Sequence, residues 1–223
     1  MQSTIKSVLV VALFMSFSAT SFSQTNRFGI SINSLTTNFN YGKSNSELQL
    51  YKKNFTGLQA GVSYQAGITP MFSVVPELYF AIKGGSLKTN NPLTENNSTL
   101  RLYSIEMPVQ ARLHFNNLYL NAGPYVAYNV GGRLKAKGSE VLPEKNVRVS
   151  FGNAAGDFKR WDAGAQVGAG YNFNMKKSTL TLDVRYGYGL VNLSKDVERY
   201  NRMLNISLVV SKPGKKSSAK KQG

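Results

Sequence analysis

The 223-residue sequence contains no cysteine and a single histidine, His114. The absence of cysteine excludes disulfides, cysteine-ligated metals and a cysteine nucleophile, and a single histidine excludes a multi-histidine metal site. Acidic residues are scarce, because 11 Asp and Glu stand against 27 Lys and Arg and give a net charge of +16. After the first 25 residues, no apolar run reaches the ~20 residues that a membrane-spanning helix needs. The length fits one domain, and 12 Tyr, 12 Phe and 20 Gly favour β structure.

The N-terminus has the features of a secretory signal peptide. Lys6 precedes an apolar segment at residues 8–17, and the small residues Ser21 and Ser23 indicate cleavage before Gln24. We therefore predict that residues 1–23 are removed on export. The alternative, an N-terminal membrane anchor, needs a longer apolar segment. Export also predicts that the protein has no nucleic-acid partner, despite its basic charge.

The mature chain alternates between apolar and polar residues with a period of two. In one segment Leu182, Val184 and Tyr186 share a face, and Asp183 and Arg185 lie on the other. Successive side chains of a β-strand point to opposite faces, so the pattern predicts strands with one apolar and one polar side. The eight predicted strands are 27–36, 55–68, 71–85, 99–115, 117–131, 159–174, 178–192 and 199–211. Most exceed the ~9–11 residues that a strand needs to cross a bilayer.

Short turns alternate with long polar connections between these segments. The predicted turns are 67–70, 116–117 and 174–177, and the predicted loops are 37–54, 86–98, 132–158 and the shorter 193–198. Outer-membrane barrels combine short periplasmic turns with long extracellular loops. The sequence therefore predicts an all-β fold, an eight-stranded antiparallel up-and-down transmembrane β-barrel over residues 24–211, with both termini in the periplasm.

The distribution of charges and aromatic residues predicts which face points outward. A soluble lipocalin-like barrel turns its apolar face inward, whereas a membrane barrel turns that face toward lipid. Charged residues lie at mid-strand positions of the polar face: Glu77, Lys83, Glu106, Arg112, Asp162, Asp183 and Arg185. Aromatic residues lie on the apolar face near both strand ends, as in the two interfacial girdles of membrane barrels. The girdle at the short turns contains Phe28, Phe72, Phe115, Tyr171 and Phe173, and the girdle at the long loops contains Phe80, Tyr103, Tyr128, Trp161 and Tyr188.

The charged residues of the polar face predict a lumen filled by ion pairs. An eight-stranded barrel is only wide enough to be filled by its own side chains. Four acids and three bases nearly cancel, and the expected pairs are Glu77–Arg112, Lys83–Glu106 and Asp183–Arg185. We therefore predict a packed interior without a general diffusion pore, in which these groups hold the barrel together.

Several short motifs resemble one family of bacterial barrels. The motifs lie at residues 58–64, 105–111, 121–125 and 162–170, and the resemblance extends over residues 27–211. The sequence resembles the Bacteroidota outer-membrane β-barrel family, called PorT-like or "porin family", with an architecture like the OmpA and OmpX barrels. In that family a Glu-x-Pro strand, here Glu106 to Pro108, is strand four and a Gly-Pro-Tyr strand, here beginning at Gly123, follows it. The resemblance implies the fold, and the PorT-like name implies a link to protein secretion.

The C-terminus departs from the usual barrel ending. The last predicted strand stops at Ser211, where a terminal aromatic residue is often found, and a basic segment follows at 212–223. Its cations are Lys212, Lys215, Lys216, Lys220 and Lys221. Such charge blocks rarely fold, so we predict a disordered periplasmic tail. The functional alternative is a contact with an acidic periplasmic partner or with cell-wall carboxylates.

No constellation of catalytic residues emerges from the sequence. His114 shares its strand face with Ser104 and Glu106, but Glu106 lies eight residues away, roughly 26 Å along a strand, so no triad forms there. We predict no catalytic, cofactor or metal site and a non-enzymatic outer-membrane protein with a structural, adhesion or partner-binding role. Outer-membrane lipid is the expected partner, and basic residues of loop 132–158 favour lipopolysaccharide phosphates. The alternatives are a small channel, a component associated with secretion, and a lipid-modifying enzyme.

Overall fold

The structure, a computed structural model, describes residues 26–93, 96–136, 145–154 and 156–213. The predicted signal peptide lies outside these residues. All eight predicted strands are present, and each pairs antiparallel with its neighbours. They are β1 (Arg27–Asn40), β2 (Phe55–Thr69), β3 (Phe72–Leu87), β4 (Ser98–Phe115), β5 (Leu118–Ala136), β6 (Trp161–Asn174), β7 (Thr179–Gly189) and β8 (Tyr200–Pro213).

The sheet closes on itself. β8 pairs with β1 along the full length of both strands, from Arg27 opposite Pro213 to Asn40 opposite Tyr200. Closure gives each of the eight barrel strands a partner on both sides, which is how a β-structure satisfies its backbone hydrogen bonds in lipid. The predicted eight-stranded antiparallel barrel is confirmed.

The two ends of the barrel differ in their connections. Tight turns join strands at one end; in one of them Asn116 adopts a φ of 55°, a left-handed conformation that asparagine tolerates. At the other end, the connection after β1 contains a 3₁₀ turn (Gly42–Ser44), a short helix (Asn45–Leu48) and a two-residue strand (Lys52–Lys53). A further short strand, Lys145–Arg148, pairs with the end of β5. No helix in the described part of the chain is long and apolar enough to cross a membrane.

The apolar face of the strands points outward. On β1, Ile30 is 61% exposed and Ile32 64%, whereas Ser31 and Asn33 between them are almost fully buried. The same alternation runs around the barrel, so the exterior is apolar and the lumen is polar. A lipocalin-like soluble barrel has the opposite arrangement, and that alternative is wrong.

Several strand ends differ from the prediction. The largest shift is on β5, which continues to Ala136 rather than residue 131 and includes the start of the predicted loop 132–158, and β7 ends at Gly189 rather than residue 192. β1 continues to Asn40 rather than residue 36, because Leu35, Thr37 and Phe39 still point inward although the polarity of the two faces has changed. β8 continues to Pro213 rather than Ser211, so Lys212 belongs to the last strand, opposite Phe28, and not to the predicted tail. The remaining tail lysines lie outside the described residues.

Candidate functional site

The centre of the lumen contains one lysine shared by two carboxylates. The Lys83 ammonium lies 2.5 Å from Glu106 Oε1 and 2.9 Å from Asp162 Oδ2, and all three side chains are fully buried. Gln59 donates a hydrogen bond to the other Glu106 oxygen, and Asn201 donates one to Asp162. Buried ion pairs are tolerated only when such additional hydrogen bonds satisfy them. Lys83 and Glu106 lie on neighbouring strands as expected, whereas Asp162 joins them from across the lumen.

A second ion cluster lies nearer the short turns. Arg185 binds both carboxylate oxygens of Glu77, at 2.5 and 2.9 Å, and its Nε donates to Asp183 Oδ1 at 2.6 Å. Asp183 also accepts hydrogen bonds from Tyr119 and from Asn121. A two-pronged guanidinium–carboxylate contact is among the strongest ion pairs in proteins. The predicted proximity of Asp183 and Arg185 is present in this cluster.

The expected Glu77–Arg112 pair does not form. Glu77 pairs instead with Arg185 across the barrel, a contact that follows from the curvature and stagger of the closed sheet. Arg112 packs over the Tyr119 ring at 3.9 Å and donates to Gln65 Oε1 at 3.2 Å. Its closest carboxylate oxygen, on Asp183, is 4.0 Å away.

Amide side chains fill the layer between the two ion clusters. The sequence does not predict this layer, because amides on a polar strand face give no signal beyond their position. Gln59 accepts hydrogen bonds from Asn33 and Asn205, and Gln110 donates to Gln166. The layer carries no charge, so it separates the ion clusters along the lumen.

A hydrophobic cluster closes the lumen at the long-loop end. We call it the loop cap, and its buried members are Phe39, Tyr41, Leu48, Leu87, Leu100, Leu102, Phe158 and Leu193. Strand residues and loop residues contribute together, and Gly85 leaves the space that the Phe39 ring occupies. The sequence predicts polar loops for these connections, whereas in the structure their isolated apolar residues converge on the end of the barrel.

The loop cap also buries a tyrosine and an arginine. Burial raises the pKa of the Tyr41 phenol, with the Arg199 guanidinium acting in the opposite direction. For the Arg199 guanidinium, burial has the opposite effect and lowers the pKa. Arg199 donates a hydrogen bond to Ser194 and lies over the Phe158 ring, so its charge is held within the loop cap by polar and aromatic contacts.

The predicted aromatic residues lie on the outer surface, exposed or half-buried. At the short-turn end Tyr171 and Phe173 contact each other with ring centroids 4.9 Å apart. At the long-loop end Tyr128 and Trp161 are in edge contact at 5.1 Å. Rings in these positions suit the two headgroup regions of a bilayer.

Three arginines stand side by side just beyond the long-loop girdle. We call Arg101, Arg133 and Arg148 the arginine row, because Arg133 is the direct cross-strand partner of both Arg101 and Arg148. All three are exposed. Among the described residues none of them forms a salt bridge with a carboxylate; Arg101 lies over the Phe55 ring. The row was not predicted, although Arg133 and Arg148 fall within the predicted basic loop 132–158.

The short-turn end of the lumen holds the only histidine. His114 Nε2 lies 2.8 Å from Ser73 Oγ on the neighbouring strand, a contact that the analysis of Ser104 and Glu106 on a single strand missed. Both side chains border an open cavity of about 330 Å³, which we call the vestibule. In the described part of the chain, no group of three His, Cys, Asp or Glu side chains is placed to hold a metal ion.

Comparison with known proteins identifies the family. Residues 16–195 match the family model described as outer membrane protein beta-barrel domain. The chain belongs to this family. Together with the closed barrel and its apolar exterior, family membership establishes the protein as an outer-membrane β-barrel protein. A search of curated proteins finds no match.

Several solved outer-membrane structures are similar to this barrel in fold. Ail from Yersinia pestis, solved in complex with the heparin analogue sucrose octasulfate, has 15% identity and a TM-score of 0.41 over 83% of this chain and 99% of its own. Neisserial surface protein A has 12% identity and a TM-score of 0.42, covering 84% of this chain and 97% of its own. AlkL, solved in lipid bilayers, has 15% identity and a TM-score of 0.37, covering 91% and 96%. At these identities the similarity concerns the fold alone.

Proposed function

We propose that the protein is a non-enzymatic, non-conducting binding protein of the outer membrane that contacts lipopolysaccharide phosphates through the arginine row. The observation that carries this proposal is the cross-strand register of Arg101, Arg133 and Arg148. Like charges directly opposite each other destabilise a sheet. Phosphate oxygens lying between the guanidinium groups would replace that repulsion with charge-assisted hydrogen bonds.

The height of the arginine row on the barrel supports this partner. Arg101 precedes the outward-facing girdle residue Tyr103 by two positions, so it lies roughly 7 Å further along the strand toward the long loops. That distance brings the guanidinium groups to the headgroup level, above the aromatic girdle. The eight strands contain four acids, all buried in the lumen, so no carboxylate on the barrel exterior competes with phosphate: Glu77, Glu106, Asp162 and Asp183.

The filling of the lumen supports a role without solute transport. Lys83, Glu106 and Asp162 are fully buried at the centre, and the loop cap covers the lumen above them. The competing proposal of a small channel requires a water-filled path through both the Lys83 cluster and the loop cap. Planar-bilayer recording distinguishes the two: we expect no steady conductance from the reconstituted protein, and regular open-channel steps would contradict us.

The surroundings of His114 support a role without catalysis. A histidine activates a serine when a carboxylate orients the imidazole. Among the described residues, no carboxylate accepts a hydrogen bond from the His114 ring, which contacts Ser73 and the Tyr119 ring. Unchanged lipid A in cells that overexpress the protein is the expected result, and new lipid A species would favour the alternative of a lipid-modifying enzyme.

Two finer assignments belong to this proposal. The motifs around Glu106 and Gly123 favour the Bacteroidota PorT-like group, and with it an association with secretion machinery as the alternative role. The basic tail is a candidate contact for acidic periplasmic partners or cell-wall carboxylates. Cross-linked co-purification of the full chain, compared with a chain truncated after Pro213, tests the tail: a partner captured only by the full chain supports the contact.

The arginine row is tested with purified lipid A. In the triple variant Arg101→Gln, Arg133→Gln and Arg148→Gln, we expect affinity for bisphosphorylated lipid A, measured in detergent by native mass spectrometry, to fall at least about tenfold. Each basic residue near an anionic lipid surface contributes ~1 kcal/mol of binding free energy, so the loss of three makes a tenfold fall in affinity a lower bound. Dephosphorylated lipid A should bind the native protein and the variant alike.

The matched control removes three exposed loop lysines outside the row, Lys43, Lys88 and Lys195, by substitution with glutamine. It changes the net charge by the same amount, and we expect its lipid A affinity to stay within about twofold of the native value. Equal losses in both triple variants would mean that net charge, rather than the row, governs binding.

A further inference from the structure

The vestibule is a polar cavity at the end of the barrel opposite the arginine row. Its wall carries hydroxyl and amide side chains, among them Gln65, Thr69, Asn116, Asn172 and Asn174, and its one charged wall residue is Arg27. A deeper space of about 20 Å³ shares Arg27, Gln65 and Asn172 with it and adds Arg112. The vestibule and this deeper space therefore bring two guanidinium groups to one polar region.

The acids near this region are already bound to other groups. Both oxygens of Glu77 pair with Arg185, and Asp183 binds Arg185, Tyr119 and Asn121. Two carboxylates thus face three guanidinium groups, which leaves one positive charge without a partner. The excess belongs to Arg27 and Arg112, because Arg185 makes the close ion pairs.

The hydrogen bonds of the two arginines are also incomplete. Arg27 donates to Thr179 at 3.1 Å, and Arg112 donates to Gln65 at 3.2 Å. The Nε atoms of both are buried and have no hydrogen-bond partner among the described residues. A buried cation without an anion is costly, and a planar guanidinium binds oxyanions with particularly good geometry.

We propose that the vestibule binds an oxyanion, a carboxylate or phosphate group carried on a small polar molecule, with Arg27 and Arg112 as its anion-binding residues. A volume of about 330 Å³ is at the lower end of the range of small-molecule sites. The amide and hydroxyl groups of the wall supply donors and acceptors for the polar remainder of the ligand. Short turns face the periplasm in outer-membrane barrels, so the ligand comes from the periplasm.

This site is independent of the proposed lipopolysaccharide contact, which lies at the long-loop end. It is tested on ¹⁵N-labelled protein in detergent micelles and chloride-free buffer, by following the Nε–H resonances of Arg27 and Arg112. The probes are inorganic phosphate, an acetylated trialanine with a free carboxylate, and the same peptide as its C-terminal amide. We expect saturable shifts of both resonances with millimolar or tighter affinity for at least one anion, and none with the amide.

The two anionic probes distinguish the ligand group. A response to the peptide carboxylate alone assigns a carboxylate site, a response to phosphate alone assigns a phosphate site, and responses to both assign a general oxyanion site. A response to neither anion, or an equal response to the peptide amide, overturns the proposal.

Arg27→Gln is the decisive variant, because Arg27 is only half-buried and takes no part in the two ion clusters. We expect it to weaken anion binding at least tenfold, whereas the exposed-loop variant Lys88→Gln binds as the native protein does. Unchanged binding by Arg27→Gln would overturn the assignment. A chain truncated after Pro213 tests whether the tail itself occupies the vestibule. If, without added anion, the two resonances differ between the truncated and the full chain, the tail is the occupant and the proposal is overturned.

Discussion

The two ends of the barrel contain opposite kinds of interior. At the long-loop end the inward side chains of the strands are apolar, as at Phe39, Leu100 and Leu102, and loop residues cover them. At the short-turn end the inward side chains are polar, as at Ser73 and Asn172, and the lumen opens into the vestibule. The same alternating strands build both ends. The difference follows from the connections, because turns of two to four residues are too short to fold over the lumen.

The ion clusters between these ends separate two environments. The Lys83 cluster lies on the side of the loop cap, and the Arg185 cluster lies on the side of the vestibule. The Lys83 cluster has two acids for one base. The region of the Arg185 cluster has an excess of positive charge once Arg27 and Arg112 are included. The lumen is therefore open at the short-turn end and closed at the long-loop end.

The largest effect is expected from removing the cation at the centre. Lys83→Met leaves Glu106 and Asp162 buried without their shared ammonium group. Breaking a buried ion pair from one side costs about 3–5 kcal/mol in the free energy of unfolding. Urea unfolding of the refolded barrel in lipid vesicles measures the loss.

The double variant Lys83→Met with Glu106→Gln is the control, because it removes one of the two uncompensated charges. We expect it to be more stable than Lys83→Met alone, since the neutral amide is cheaper to bury than a carboxylate. A double variant that is less stable than the single one would contradict the view that unpaired charge, and not lost packing, causes the effect.

A smaller effect is expected from opening the loop cap. Leu48→Ala removes a fully buried side chain at the long-loop end of the lumen. Such truncations lower the free energy of unfolding by about 2–5 kcal/mol, and here part of that loss destabilises the loops locally rather than the whole barrel. Limited proteolysis should therefore cleave the long-loop end of the variant faster. Leu50, two positions along the chain and 79% exposed, provides the matched control. Leu50→Ala should leave cleavage unchanged, and equal acceleration by both variants would show that Leu48 does not support the loop cap.

The sequence predicts the transmembrane part of this barrel better than either end. Between the girdles, the two faces differ consistently in polarity, as at Leu182 and Asp183, so period-two alternation was sufficient. Above the long-loop girdle the pattern inverts: Arg101 points outward and Leu102 inward, because the exterior leaves the lipid and the lumen meets the loop cap. For this reason the polarity alternation of β1 fades although the strand continues to Asn40.

The contacts within the site depend on distances that a sequence does not contain. Glu77 and Arg185 are separated by 108 positions and meet because the closed barrel brings β3 and β7 to opposite walls of a narrow lumen. The sequence shows only that Glu77 and Arg112 lie on neighbouring strands, and without the geometry of the closed barrel these two residues are the expected pair. The loop cap was missed for a related reason, since Tyr41, Leu48 and Phe158 are single apolar residues within otherwise polar connections.

The smallest expected effect distinguishes the two ends by pH. Burial raises the pKa of Tyr41 above its ordinary value of about 10, so the folded loop cap holds the phenol proton more tightly than the unfolded chain does. The stabilising contribution is complete below pH 10 and is lost as the pH rises through the pKa of the folded state.

In the native protein, proteolysis at the long-loop end should therefore accelerate above about pH 10, relative to the variant Tyr41→Phe, which has no proton to lose. Both proteins should be cleaved at similar rates near pH 8, and subtilisin is suitable because it acts in alkaline solution. Cleavage at the short-turn end should show no difference between the two proteins, since Tyr41 lies at the opposite end of the barrel. Parallel pH profiles for the native protein and the variant at the long-loop end would mean that ionisation of Tyr41 does not limit the stability of the loop cap.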